Sequence, residues 1–260
     1  MSASSEGTFV SSQLQTSNKL LGGLSKADFS LLEPHLEALD LPLRRQLEAP
    51  NRPVEFVYFL DTGLASMVIS AGADQSIEVG IVGNEGMTGL PVVLDSYRPT
   101  YETFIQTAGK GRRLTAKSLG TAMDRSPTMN KTFLRYVQTV LTQMACTALA
   151  NGRYKIDERL ARWLLMADDR AGGNPLELTH DFLALMLGSR RAGVTVALNE
   201  LEKQGTIELK RRNIVVRDRG ALELVANGSY GLPEAEYHRL FEPAATVAPK
   251  GLAASETVAR

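Results

Sequence analysis

The chain has 260 residues, enough for one large domain or two smaller ones. Hydrophobic residues make up 43% and charged residues 22%, which indicates a packed core and excludes a wholly disordered chain. Basic and acidic side chains balance at 29 each, so overall charge does not point to nucleic acid and a DNA-binding function must rest on local charge.

The N-terminal part divides into a polar segment and a short helix. Residues 1–18 are rich in Ser and Thr without hydrophobic periodicity, and we expect them to be disordered. A helix is predicted over 26–39, with Ser25 as its N-cap and a kink or break at Pro34.

A β domain is predicted within residues 19–125. Four short segments, 54–60, 64–70, 77–82 and 102–108, are rich in Val, Ile, Tyr, Phe and Thr and are separated by turn sequences. This spacing is typical of an antiparallel sandwich or barrel, and a small jelly roll would protect the strand edges. An unrelated β-sandwich would show the same spacing.

The longest helix is predicted at 127–151, with Ser126 as its N-cap, in a segment assigned to 126–152. Its apolar residues recur at nearly coiled-coil spacing. They are Phe133, Val137, Val140, Met144 and Ala148. This stripe fits either packing on the β domain or a dimer interface, and the motif that follows favours the dimer. Asn151-Gly152 is predicted to be a hinge.

The segment 178–207 has the pattern of two short helices joined by a tight turn. Thr179 can cap the first helix, Gly188 interrupts it, Ser189 can cap a second helix over 189–204, and Gly205 ends that helix. This pattern predicts a helix-turn-helix whose second helix enters the major groove. A helix over 154–169 precedes it, with Trp163 as a core anchor.

A basic β-hairpin follows the motif. Polar and apolar residues alternate in segments 207–209 and 214–217, which predicts two strands joined by a turn at 210–213. Residues 153–226 are therefore predicted to form a winged helix-turn-helix domain. Residues 227–260 are predicted to form a tail. Between Ser189 and Arg217 there are seven basic and three acidic residues, a local excess that favours DNA. The candidate DNA-contacting residues are Thr179, Ser189, Arg190, Arg191, Gly193, Thr195, Asn199, Lys210, Arg211 and Arg212.

The residues do not predict an enzyme. The three histidines are far apart, the predicted strands contain none, and no phosphate-binding loop, nucleophile elbow or paired-cysteine motif occurs. We therefore expect no catalytic residue, no metal and no cofactor. The single cysteine, Cys146, excludes an intramolecular disulfide. Without a long apolar run or a secretory signal, we expect a cytoplasmic protein.

This order of elements resembles the Crp/Fnr-type transcription regulators, over about residues 20–226. The most specific likeness lies in 179–194. The resemblance implies an α+β fold: an N-terminal antiparallel jelly roll like a cyclic-nucleotide-binding domain, a long dimerisation helix and a C-terminal winged helix-turn-helix. It also places base and phosphate contacts on Arg190 and Arg191.

The sequence departs from well-known members at several functional positions. Ala192 replaces a base-reading Glu, and Val196 falls where another Arg is used. In the β domain, the ribose-binding Glu position becomes Leu90 and the phosphate-binding Arg position becomes Pro99, with Arg98 beside it. These departures predict a different operator and no ordinary response to cyclic AMP.

We thus expect a homodimeric regulator that binds a near-palindromic site in double-stranded DNA, with RNA polymerase as a further candidate partner and an unknown effector. Two alternatives stay open at this point. One is a regulator gated by an unidentified small ligand in the β domain. The other is a protein-interaction module whose winged domain does not bind DNA.

Overall fold

The computed structural model describes residues 16–72, 75–171, 175–211 and 213–242. Its helices are α1 (Lys19–Gly22), α2 (Lys26–Leu32), α3 (Leu90–Val93), α4 (Ala116–Arg125), α5 (Pro127–Arg153), α6 (Ile156–Ala171), α7 (His180–Met186), α8 (Arg191–Lys203), α9 (Arg219–Val225) and α10 (Leu232–Phe241). Its strands are β1 (Glu37–Leu41), β2 (Gln46–Glu48), β3 (Phe56–Leu60), β4 (Leu64–Ser70), β5 (Ser76–Val82), β6 (Glu102–Thr107), β7 (Gly109–Thr115), β8 (Leu176–Glu177), β9 (Ile207–Lys210) and β10 (Asn213–Val216).

The N-terminal domain contains two antiparallel sheets, ordered β1-β7-β3 and β2-β6-β4-β5. One hydrophobic core joins them, because Val57 and Leu114 of the first sheet belong to the same buried cluster as Met67 and Ile105 of the second. The four predicted strands are present. Strands β1, β2 and β7 were not predicted, since their alternation is masked by charged residues.

The break predicted at Pro34 is present, so the first helix is shorter than the predicted range 26–39. It ends at Leu32, a 3₁₀ turn follows at Glu33–His35, and β1 then occupies part of the predicted helical range. Pro34 explains the difference, because it lacks an N–H and restricts the preceding residue. The predicted disorder over 1–18 falls mostly outside the described residues, but the backbone N–H of Asn18 donates to Asp61 at 3.1 Å and Asn18 is buried.

The long helix begins as predicted. Ser126 Oγ accepts the N–H of Met129 at 3.1 Å. The hinge predicted at Asn151-Gly152 is wrong, because α5 continues through both residues to Arg153 and turns only at Tyr154. Gly152 has no neighbour near its missing side chain, so it is simply an exposed residue in the last turn.

The structure corrects the predicted dimer face. Phe133, Val137 and Val140 are at most 4% exposed and belong to the protomer's own core. Met144 packs partly buried against that core, and only Ala148 of the five is exposed. The spacing identified a buried face of α5 correctly, but the prediction of a dimer interface is wrong for Phe133, Val137 and Val140. The large exposed apolar residues of α5 lie on the side of the helix that also carries Ala148; they are Leu134, Leu141 and Leu149.

Part of the predicted C-terminal tail is helical. Helix α10 packs on α5, and Tyr237 Oη donates to the carbonyl of Glu85 at 3.0 Å. Residues 243–260 lie outside the described part of the chain.

The C-terminal elements α6 to α9 surround a second core and pack directly on the four-stranded sheet. That core includes Leu64, Val68 and Ile81 of the sheet. The rings of Phe104 and Phe182 meet edge to face, with centroids 6.3 Å apart. In the described residues no helix is long and apolar enough to cross a membrane.

Candidate DNA-binding surface

The turn between α7 and α8 is held by local hydrogen bonds. Thr179 Oγ1 accepts the N–H of Phe182 at 3.2 Å, which confirms it as the N-cap of α7. At the other end, the N–H of Gly188 donates to Leu185 and that of Ser189 donates to Ala184, the pattern of a glycine-terminated helix. Gly188 has φ +53°, so it supplies the left-handed backbone that this turn requires.

Helix α8 is fixed by one buried face. Its inward residues are Val194, Ala197, Leu198 and Leu201, as the periodicity predicted. Gly205, with φ +73°, follows its C-cap. The predicted cap is wrong by one residue, because Arg190 and not Ser189 is the N-cap, and it makes no side-chain capping bond. The first-turn N–H groups of α8 therefore have no side-chain acceptor at the cap and suit a phosphate oxygen.

The opposite face of α8 is open to solvent. Ala192 and Asn199 are exposed, Val196 is 69% exposed, and Gly193 and Thr195 lie half-buried beside them. These residues recur at helical spacing, so they form one continuous strip. The sequence pattern indicates at Val196 only the absence of an arginine, whereas in the structure its methyl groups lie in the middle of this strip.

The two arginines at the start of α8 differ in their surroundings. Arg190 is exposed and makes no ion pair with another described residue. Arg191 Nε lies 3.3 Å from Asp181 Oδ1, with both side chains about two-thirds exposed. An ion pair this exposed contributes little stability, so Arg191 can exchange its partner for a phosphate or a base at small cost.

His180 connects the two helices of the motif. Its Nδ1 lies 2.9 Å from Thr195 Oγ1, and that hydroxyl donates to the carbonyl of Arg191 at 3.0 Å. Because the hydroxyl has a single proton, Nδ1 must carry the hydrogen in the contact with Thr195. The histidine thus orients Thr195, a positioning role that the sequence did not reveal.

The wing contains a further group of basic residues. The sheet order β8-β10-β9 confirms the predicted hairpin and adds a short strand to it. Lys210 Nζ lies 3.5 Å from Glu208, and the hydrogen bond from Arg217 holds the pKa of that carboxyl below its ordinary value. Arg211 is exposed, and Arg212 lies outside the described residues.

The described residues include no group of three His, Cys, Asp or Glu side chains placed to hold a metal ion. What α8 and the wing present is a strip of hydrogen-bonding, apolar and cationic groups. Such a strip has the chemistry of a duplex-reading surface rather than of a catalytic site.

Residues 158–225 match the family model of the Crp-like helix-turn-helix domain. This match covers α6 to α9 with the wing and identifies that domain. No curated protein matches the chain.

Solved structures of similar fold cover most of the chain. A protein described as a transcriptional regulator of the Crp/Fnr family from Eubacterium rectale has 19% identity and a TM-score of 0.63, over 80% of this chain and 98% of that one. FixK2 from Bradyrhizobium japonicum has 20% identity and a TM-score of 0.61, over 73% and 96%. The c-di-GMP responsive regulator CLP of Xanthomonas campestris has 16% identity and a TM-score of 0.60, over 74% and 99%.

Proposed function

We propose that this chain, which has the fold of the Crp/Fnr-type transcription regulators and their helix-turn-helix domain, acts as a homodimer that binds a near-palindromic DNA site. The observation that carries the proposal is the solvent-facing strip of α8, which begins at two exposed arginines. A buried apolar face fixes this helix to its domain, so the strip is a rigid reading surface.

The strip offers three kinds of contact with a duplex. Arg190 and Arg191 suit the O6 and N7 acceptors of guanine or a phosphate, and Asn199 suits adenine. Val196 offers methyl groups for apolar contact with the methyl group of thymine. Because Ala192 and Val196 replace polar readers, the preferred operator is expected to differ from those of members that use Glu and Arg there.

Other contacts position the domain without reading sequence. Lys210 and Arg211 lie at the wing, where their charges suit the phosphate backbone. Thr179 and Ser189 flank the turn and can donate hydroxyl hydrogen bonds to phosphate. If a dimer neutralises 6–10 phosphates, its affinity should fall by about 10³–10⁵ between 50 and 200 mM salt.

The dimer is proposed to form through the exposed face of α5. Leu134 and Leu141 are seven residues apart and are 45% and 54% exposed, with Ala145, Ala148 and Leu149 continuing the face. The seven-residue spacing of Leu134, Leu141 and Ala148 fits one seam position of a two-stranded coiled coil. Two recognition helices in successive major grooves would place half-site centres roughly 34 Å apart.

The β domain is proposed not to respond to cyclic AMP. Leu90 is 6% exposed and shares a buried cluster with Phe59 and Phe133. Pro99 is buried and has no side-chain donor, while Arg98 points to an exposed position. A cyclic phosphate here would lose its charge-assisted partners, each worth about 1.5–3 kcal/mol.

The proposal is tested by gel shift on a duplex selected from random sequence. The wild-type protein should bind the selected duplex in preference to a scrambled one, and the variant Arg190→Ala/Arg191→Ala should bind both alike. Specific binding that survives both substitutions would remove the assignment of α8 as the reading helix.

A further inference from the structure

A cavity of about 370 Å³ lies where the two domains and the C-terminal helix meet. Its walls come from the loop after β5, from α5, from the end of α6 and from α10, among them Asn84, Tyr136, Arg170, Glu234 and Tyr237. Its size is that of a site for a small molecule. It is formed partly by α10, which has no role in the proposed DNA contact.

Most charged groups around the cavity already have partners. Arg170 Nε lies 2.8 Å from Glu85 Oε1, and Arg219 Nη2 lies 2.7 Å from Asp169 Oδ1. His238 Nδ1 lies 2.7 Å from Glu242 Oε1. Because these basic side chains are already paired with carboxylates, the cavity offers little positive charge to an anionic ligand. Lys19, which also lines it, has an exposed side chain at the rim.

Three buried polar groups on the walls lack partners. Both carboxyl oxygens of Glu234 and the Oδ1 of Asn84 are shielded from solvent and make no hydrogen bond to another residue. The Tyr136 hydroxyl, beside the backbone of Gly86, likewise has no partner in hydrogen-bond geometry. Buried polar atoms are nearly always satisfied, so three on one cavity point to a missing hydrogen-bonding group.

The chemistry of these groups selects the ligand. The atoms without partners, the carboxyl oxygens of Glu234 and Oδ1 of Asn84, are hydrogen-bond acceptors, so the ligand must supply hydrogen-bond donors. Burial raises the pKa of Glu234, and the charges of Arg170 and Arg162 oppose that rise without a hydrogen bond to its carboxyl group. Tyr230 and Tyr237 add aromatic surface, which accepts both apolar groups and cations.

We propose that this cavity binds a small organic cation, a primary amine carried on an apolar body, with Glu234 as its charge partner. Asn84 would accept a second hydrogen from the ammonium group, and the tyrosines would contact the apolar body. Because Asn84 belongs to the β domain and Glu234 to the helix that follows the DNA-binding domain, a bound amine would join the two. Any effect of the bound amine on DNA binding rests on the proposed function, whereas binding of the amine itself does not.

The test is calorimetric titration of the full chain with 2-phenylethylamine, beside its neutral analogue 2-phenylethanol. The amine should bind and the alcohol should bind at least about tenfold more weakly, because only the amine offers a charge-assisted bond. Glu234→Gln should lower the affinity for the amine by about tenfold or more without altering the weak binding of the alcohol. Glu236→Gln, on the same helix and outside the cavity lining, should bind the amine like wild type.

Thermal unfolding without ligand separates loss of binding from loss of fold. Glu234→Gln should unfold at the wild-type temperature or higher, since it removes a buried carboxyl group without a hydrogen-bond partner. Three results would overturn the proposal: no binding of the amine at about 10 mM, equal binding of amine and alcohol, or an unchanged amine affinity in Glu234→Gln. None of them depends on whether the protein binds DNA.

Discussion

The indole of Trp163 donates its Nε1–H to Glu78 Oε1 at 2.5 Å, and this bond joins the DNA-binding domain to the β domain. Trp163 is the only tryptophan in the chain, and both residues are at most 5% exposed. The other oxygen of Glu78 has no partner. The domain contact thus contains a buried carboxyl group that favours its neutral form.

The first prediction concerns pH. Burial raises the pKa of Glu78 from 4.5 to about 7, with Arg162 and Arg170 opposing the rise. The pKa of Glu78 is higher in the folded state than in the unfolded state. The contribution of the protonated carboxyl group to the stability of the folded protein is therefore complete below about pH 4.5 and is lost as pH rises through about 7. Trp163 emission should therefore titrate with an apparent pKa near 7, and Glu78→Gln should abolish that transition.

Glu48 provides the matched control. Burial also raises its pKa to about 7, but its bonding partners are Thr103 and the backbone of Gly89, not Trp163. Glu48→Gln should leave the fluorescence titration unchanged. If the Trp163 emission of the Glu78→Gln variant still shows the same pH transition, Glu78 is not the titrating group.

The second prediction concerns the turn between α7 and α8. A Cβ on Gly188 would lie 2.7 Å from Ile77 Cδ1, whereas a Cβ on Gly205 would meet nothing within 4 Å. Both glycines have positive φ, so alanine at either should cost about 1–2 kcal/mol of backbone strain. Gly188→Ala should therefore lower the free energy of unfolding more than Gly205→Ala, as measured by denaturant titration. Equal losses would contradict a costly contact between position 188 and Ile77.

The third prediction concerns the dimer. Leu141→Glu places a charge in the proposed interface and should raise the dimer dissociation constant by about thirtyfold or more, as for loss of a central anchor. Analytical ultracentrifugation measures this directly. Leu224→Glu, at a position 81% exposed on α9, should leave the dimer intact. A Leu141→Glu protein that remains as dimeric as wild type would exclude this face of α5.

The helix-turn-helix could be predicted from sequence because its signals are local. Thr179, Gly188 and Gly205 each act on the backbone within a few residues, and the buried face of α8 follows from spacing alone. The fold of the β domain could likewise be predicted from its turns, although β7 could not, since its Lys and Arg residues resemble a loop.

Features set by distant contacts could not be predicted. The spacing of Phe133, Val137 and Val140 is the same for a helix that buries its face in its own protomer or in a partner. Glu78 resembles an ordinary polar residue of a half-exposed strand, and nothing adjacent to it indicates Trp163. Helix α10 could not be predicted because it is short, has proline as its second residue and carries mixed charges, and because its packing on α5 is a tertiary contact.

The fourth prediction concerns cyclic AMP. Leu90 and Pro99 replace the groups that would hold its ribose and phosphate, and Leu90 is already part of a filled core. Isothermal titration with cyclic AMP should show no binding at micromolar concentration, and the melting temperature should not rise. Micromolar affinity would mean that the β domain opens to admit the nucleotide.

The central claim is that α8 reads DNA sequence, and selection from a library of random duplexes with the purified full chain tests it most directly. The wild-type protein should enrich two inverted half-sites whose centres lie about one helical turn apart. Arg190→Ala/Arg191→Ala should lose that enrichment, whereas Lys117→Ala, an exposed change on α4, should keep it. An unenriched library, or the same motif enriched equally by the double variant, would contradict the account.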